Sequence, residues 1–181
     1  MNEEKDKPKS DIHFRVMAFF LRIRDLFISP AKLLQKVGIK EGQTVVDFGC
    51  GSGSYTIPAA RMVGEQGKVY ALDIHPLAVR TVESKAKKES ATNITTILSD
   101  RDTGLPDESV DVVLLYDTIH SIRDKRALLK ELHRAMKPNA LLSILAEHIK
   151  VEDVIEIAQE DGLFALRHRD GRLLNFERGA R

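Results

Sequence analysis

Residues 44–54 read Thr-Val-Val-Asp-Phe-Gly-Cys-Gly-Ser-Gly-Ser. The first five are short, apolar and rich in β-branched side chains, the composition of a strand. The rest place glycine at Gly49, Gly51 and Gly53 and lead into a helical stretch over residues 54–63. Strand, glycine-rich turn and helix in that order form the opening unit of a parallel α/β sheet. In a doubly wound sheet this turn lies at the carboxyl edge of the strands, where ligands bind. Three alternating glycines let the backbone approach a ligand that a Cβ would hold off.

The same rhythm continues outward. Val69–Asp73 reads as the second strand and Pro76 to Ser90 as a helix with proline in its first turn. Asn93–Ser99 is the third strand. Asp111–Tyr116 is an unbroken apolar run, which predicts a central strand buried on both faces. A helix is expected over 125–137, stopped by Pro138-Asn139, then a strand over Leu141–Ala146 and a helix over 151–160. Asp170-Gly171 between two strand-like runs signals a closing hairpin. Upstream, Ser29-Pro30 starts a short helix and Gly38 ends it. The predicted class is α/β, a doubly wound and mostly parallel sheet with helices on both faces.

The spacing of the loop bears on its ligand. A dinucleotide fingerprint needs Gly-x-Gly-x-x-Gly, yet the third position counted from Gly49 is Ser54, and the glycine falls at 53 instead. That disfavours a nicotinamide cofactor. Asp73 ends the second strand, where a carboxylate can accept hydrogen bonds from ribose hydroxyls or cap the next helix. Asp100, followed by Arg101, closes the third strand beside the same crevice.

Taken in order, VVDFGCGSG, VYALDI, ILSD, VDVVLLYDTIH and LHRAMKPNALL resemble the class I S-adenosylmethionine-dependent methyltransferases. The branch they resemble most is the small ubiquinone-biosynthesis-like one (methyltransferase type 11). The resemblance covers about residues 30–181. It implies a seven-stranded sheet of order 3-2-1-4-5-7-6 with an antiparallel last hairpin. It implies that Asp47 and the loop Gly49, Cys50, Gly51 and Gly53 cradle the methionine part of S-adenosylmethionine. Asp73 would take the ribose hydroxyls, Ile74 would pack on adenine, and Asp100, with Arg101 beside it, would bond the adenine amino group. Tyr116 and Asp117 would line the floor near the reactive methyl. No Asn-Pro-Pro-Tyr or Asp-Pro-Pro-Tyr follows strand four, where Asp117-Thr-Ile-His120 stands. That disfavours methylation of amino groups on nucleic-acid bases or glutamine. The lone Cys50 disfavours arsenite methylation and cysteine-based RNA methylation.

Methyl transfer from a sulfonium is an in-line displacement, so alignment is the main task and a base is needed only if the acceptor must lose a proton. His120, just past strand four, is the catalytic candidate, with Glu147 and His148 after strand five as weaker ones. His13, His75, His133 and His168 are expected to be structural or exposed. No His-Glu-x-x-His or similar set is present, so no metal is expected. The reading is a methyltransferase acting on a small, partly apolar acceptor. The alternative is a silent S-adenosylmethionine-binding module that serves a partner protein.

Composition agrees. A chain of 181 residues with 43% hydrophobic residues makes one domain with a sizeable core. Basic and acidic residues number 28 and 27, a balance that argues against nonspecific nucleic-acid binding. There is no apolar run of about 18 residues, hence no membrane insertion. One cysteine and a charged start without a signal-peptide core point to the cytoplasm. Residues 1–28 form a separate region: a tail over 1–11, then an amphipathic helix over 12–28 that holds four of the seven Phe. Its apolar side is expected to pack on the main domain, residues 29–181. Other readings are a lid, a homodimer contact, or a membrane-surface helix, the last disfavoured by its few, scattered basic residues.

Overall fold

The computed structural model describes residues 6–27 and 29–179. Seven strands form one sheet: β1 (Thr44–Phe48), β2 (Lys68–Asp73), β3 (Ile94–Leu98), β4 (Val110–Tyr116), β5 (Met136–Leu145), β6 (Phe164–Asp170) and β7 (Leu173–Arg178). Their spatial order is 3-2-1-4-5-7-6. The first five pair in parallel, and β7 runs antiparallel to both β5 and β6. The helices are α1 (Asp11–Phe27), α2 (Pro30–Val37), α3 (Thr56–Val63), α4 (Pro76–Lys88), α5 (Lys125–Ala135) and α6 (Val151–Gln159).

Alternation along the central strands explains the two-layer cover. Val46 of β1 and Val113 and Leu115 of β4 enter a core with Leu128 and Leu132 of α5 and Val154 and Ala158 of α6. Val45, Val112 and Leu114 face the other way, onto Leu34 and Val37 of α2 and Ala59, Ala60 and Val63 of α3. Val82 of α4 meets Ala71 on that same side. A strand that is apolar at consecutive positions can be satisfied only by burying both faces.

Some boundaries differ from expectation. α5 ends at Ala135, and β5 starts at Met136, which pairs with Val110. Pro138-Asn139 is an exposed bulge within the strand rather than the gap before it. Lys137 anchors it, with Nζ 2.8 Å from both carboxylate oxygens of Asp111. Ser29 stands at the α2 N-cap but makes no side-chain capping bond. The terminal hairpin turns at Gly171-Arg172, one residue later than Asp170-Gly171.

The largest departure concerns α1. Its helix is present from Asp11, but only part of its apolar surface meets the domain: Phe14 is buried and Met17, Ala18 and Leu21 are half-buried, while a second apolar stripe stays exposed. Of its phenylalanines only Phe14 is buried, while Phe19, Phe20 and Phe27 are exposed, the last at 83%. The inward side carries Arg24 and Asp25, which find charged and hydroxyl partners on the domain. Residue 28 and residues 1–5 of the expected tail lie outside the described residues. Among the described residues no helix is long and apolar enough to cross a membrane.

Candidate functional site

β1 and β4 are neighbours where the strand order reverses, and their carboxyl ends open one crevice. The glycine loop occupies it. Gly49 and Cys50 donate backbone N–H bonds to the Leu72 carbonyl at 2.8 and 2.9 Å, so the loop is tied to β2. Gly53 N–H closes the turn on the Cys50 carbonyl at 2.8 Å. All three loop glycines have positive φ.

Their reasons differ. A Cβ on Gly49 would collide with the Thr118 side chain, and one on Gly53 would crowd Val82 at 3.1 Å. A Cβ on Gly51 would meet only the Gly49 carbonyl, at 4.0 Å. Packing within the chain therefore accounts for Gly49 and Gly53, whereas Gly51 borders free space.

Acidic groups surround the loop. Asp47 is buried beneath it and accepts a 2.5 Å bond from Thr56 Oγ1. Burial pushes its carboxyl up to about 6, against the lowering effect of Thr56 and with help from Asp73. Asp73 accepts from Gly51 N at 2.9 Å and from His75 N at 2.8 Å. Burial raises its pKa, and these two backbone bonds oppose the rise. It thus braces the loop and the entry to α4, while His75 Nδ1 accepts from Leu77 N as the actual N-cap. Ile74 is half-buried beside it. Asp100 and Arg101 sit just past β3, both half-buried, with Arg101 Nη1 3.8 Å from Asp124. Cys50 is buried, and burial drives its thiol upward, with Asp47 and Asp73 adding to it, so it is not a reactive thiol.

Past β4 the backbone is strained. Asp117 has φ 53 and His148, beyond β5, has φ 57. Asp117 Oδ1 and His120 Nδ1 are buried atoms with no hydrogen-bond partner among the described residues. The His120 and His148 rings meet edge to face at 5.3 Å. Burial lowers the His120 pKa, with His148 and Lys9 acting in the same direction and Asp117 against them. Tyr116, in contrast, is turned into the core: its hydroxyl lies 2.9 Å from Ser143 Oγ and its ring packs edge-on against Tyr55. Glu147 is half-buried and His148 exposed. His75 and His133 are buried, and His13 and His168 are exposed.

Sequence reasoning offered α1 as a possible lid but did not single out the two residues that tie it to the domain. Arg24 Nη1 binds Asp117 Oδ2 at 2.6 Å, and Asp25 accepts a 2.5 Å bond from Ser54 Oγ. The Arg24 guanidinium lies 5.6 Å from the Tyr55 ring centroid. Burial works to lower its pKa, but Tyr55, Asp25 and Asp117 together raise it. At the other end of α1, Phe14 stacks on His75 at 4.8 Å. The helix therefore crosses the carboxyl edge from β4 to β2. The available signal was the adjacent Arg24-Asp25 pair near the end of an amphipathic helix.

Known proteins resemble the chain in the same region. A family profile described as "Methyltransferase domain" matches residues 39–167. A demethylmenaquinone methyltransferase of Geobacillus stearothermophilus is 30% identical over 110 residues, 60% of this chain and 47% of that protein. One of the same name from Lactobacillus johnsonii is 25% identical over 167 residues, 88% of this chain and 68% of that protein. The chain thus spans between 47% and 68% of the length of these two relatives. A SAM dependent methyltransferase from Aquifex aeolicus, of solved structure, superposes with a TM-score of 0.74 at 31% identity, over 86% of this chain and 91% of that one.

Proposed function

The chain belongs to the S-adenosylmethionine-dependent methyltransferases, and from that premise we propose that it methylates a small, partly apolar acceptor of the quinone class. The observation that carries the proposal is the crevice at the β1/β4 switch point. It has a bare glycine backbone on one wall, and Asp117 Oδ1 and His120 Nδ1, both without partners, past β4. The names of the Geobacillus and Lactobacillus relatives support the quinone class.

When bound, S-adenosylmethionine supplies a methyl group already activated by its sulfonium charge. Gly49, Cys50, Gly51 and Gly53 would hold its methionine part, with Asp47 as the acid beneath them. Asp73 has lone pairs left beyond its two backbone bonds for ribose hydroxyls. Ile74 would pack on adenine, and Asp100 with Arg101 would border its amino group. Asp117 would face the acceptor side, with Arg24 holding its other oxygen. His120 Nδ1 would accept the proton that an acceptor hydroxyl or ring carbon gives up. Tyr116 keeps the wall in shape through Ser143 rather than touching the ligand. α1 would act as the lid that excludes water, latched by Arg24 and Asp25.

Incubation with methyl-labelled S-adenosylmethionine and a short-chain reduced naphthoquinone lacking the ring methyl tests the reading. The expected product is the ring-methylated quinol carrying the label. Stabilisation by S-adenosylmethionine without transfer to any acceptor pool would replace it with a silent binding module.

A further inference from the structure

We infer that the outer face of α1 is a docking surface for an anionic lipid bilayer, on which the helix lies flat. Ile12, Val16, Phe19, Phe20, Ile23 and Phe27 are all exposed. Projected down a helix they fall within a stripe about 100° wide. The opposite side of the same helix is already engaged, through Phe14 on His75, Arg24 on Asp117 and Asp25 on Ser54. The stripe is thus fixed in an outward orientation by contacts that cannot be made if the helix rolls over.

Charge selects the occupant. Arg15 and Arg22 are exposed and lie on one flank of the stripe, His13 is exposed on the other, and Lys7 and Lys9 are exposed just before the helix. Of the two acids in α1, Asp25 is turned inward, and the exposed Asp11 sits at the first residue on the Arg22 flank, 3.7 Å from His75 Nε2. From α4, Lys85 acts electrostatically on the same region, within range of Arg22 and Asp25. A second copy of the chain seated here would bring a second set of arginines to the seam with no carboxylate on the stripe to meet them. Anionic headgroups supply the missing charge, and acyl chains take the phenylalanines. The basic residues that look scattered in the linear sequence gather beside the stripe once the helix is oriented. This surface stands on α1 alone and does not depend on the identity of the acceptor.

Flotation of the full chain with vesicles tests it. Vesicles of phosphatidylglycerol and phosphatidylcholine in equal parts should carry the protein, phosphatidylcholine alone should carry much less, and added salt should release it. Replacing Phe19→Ser and Phe20→Ser together should lower partitioning by at least ~10-fold with an unchanged melting temperature. Replacing Arg15→Gln and Arg22→Gln should abolish the preference for the anionic vesicles. Three results would overturn the inference: no binding to anionic vesicles, binding untouched by the phenylalanine substitutions, or a dimer in sedimentation that those substitutions dissociate. The last would assign the face to a second copy.

Discussion

Arg24 Nη1 stands 2.6 Å from Asp117 Oδ2, joining the first helix to the residue that follows the central strand β4. Both side chains are about a quarter exposed. The other Asp117 oxygen has no partner among the described residues, so loss of the arginine would leave the carboxylate bare on both sides. Arg24→Met keeps the stem and removes the charge. Its expected cost is about 1–2 kcal/mol in urea unfolding. Hydrogen exchange should speed up in α1 far more than in the sheet, because the bond that ties the C-terminal end of the helix to β4 would be gone. Acceptor use should suffer more than S-adenosylmethionine binding.

The glycine loop can be dissected by two alanines. Gly49→Ala places a methyl group inside the Thr118 side chain at a left-handed φ, so it should destabilise the fold and abolish cofactor binding together. Gly51→Ala enters open space, with a cost limited to its φ of 51, about 1 kcal/mol. It should nevertheless abolish the thermal shift given by S-adenosylmethionine, since the methyl would occupy the ligand's room. A Gly51→Ala protein that binds normally would show that the bare backbone serves the turn alone.

How far the sequence carries the fold can be judged from particular elements. β4 was legible because Val112 to Tyr116 alternate between two cores, and only a doubly covered strand leaves such a run of apolar residues. The glycine loop was legible because its function and its backbone conformation make the same local demand. The direction of α1 was not. An amphipathic pattern defines a stripe without saying which side docks, and the deciding bonds reach to Ser54 and Asp117, far along the chain. The start of β5 was hidden likewise, since Pro138 reads locally as a stop and only pairing of Met136 with Val110 makes it a bulge. The site was legible at its strand-end acids and missed at Arg24, Asp25 and Thr118, which matter through contacts and not through motif.

Asp47 gives the site a pH dependence with a definite sign. Its folded-state value is about 6, and about 3.9 is expected when unfolded. The folded form therefore holds the proton more tightly. The contribution to stability is complete below about pH 4 and is lost as pH rises through 6, a loss on the order of 3 kcal/mol. Asp47→Asn should flatten the stability profile across that window in chemical denaturation. S-adenosylmethionine carries positive charge and would favour ionised Asp47. Its affinity, followed by calorimetry, should rise through pH 6 in the native chain and stay level in the variant.

Tyr116 and Ser143 form a buried pair at 2.9 Å. Tyr116→Phe leaves the Ser143 hydroxyl without its partner and should cost about 1–2 kcal/mol, as should Ser143→Ala. The double variant should cost less than the sum, because removing both polar groups leaves nothing unpaired. Cofactor affinity should change little in any of the three. A large loss of affinity in Tyr116→Phe would return its hydroxyl to the ligand site.

His120 is the group whose titration should appear in the rate. Burial, and then His148 and Lys9, hold its imidazole below the ordinary histidine value, while Asp117 opposes them. A base works in its neutral form, so activity should rise with pH through this depressed value and be level by neutrality. His120→Gln should lower kcat about 100-fold and leave the S-adenosylmethionine thermal shift intact. The neighbours supply a control that a purely structural histidine would not pass. His148→Ala removes a group that lowers the pKa, so the acid limb of the rate profile should move up toward the ordinary histidine range. Asp117→Asn removes the group that raises it, and the limb should move down. Opposite displacements in the two variants would identify His120 as the titrating base. A limb that stays put in both, with near-unchanged turnover in His120→Gln, would take the residue out of the reaction and leave proton removal to solvent.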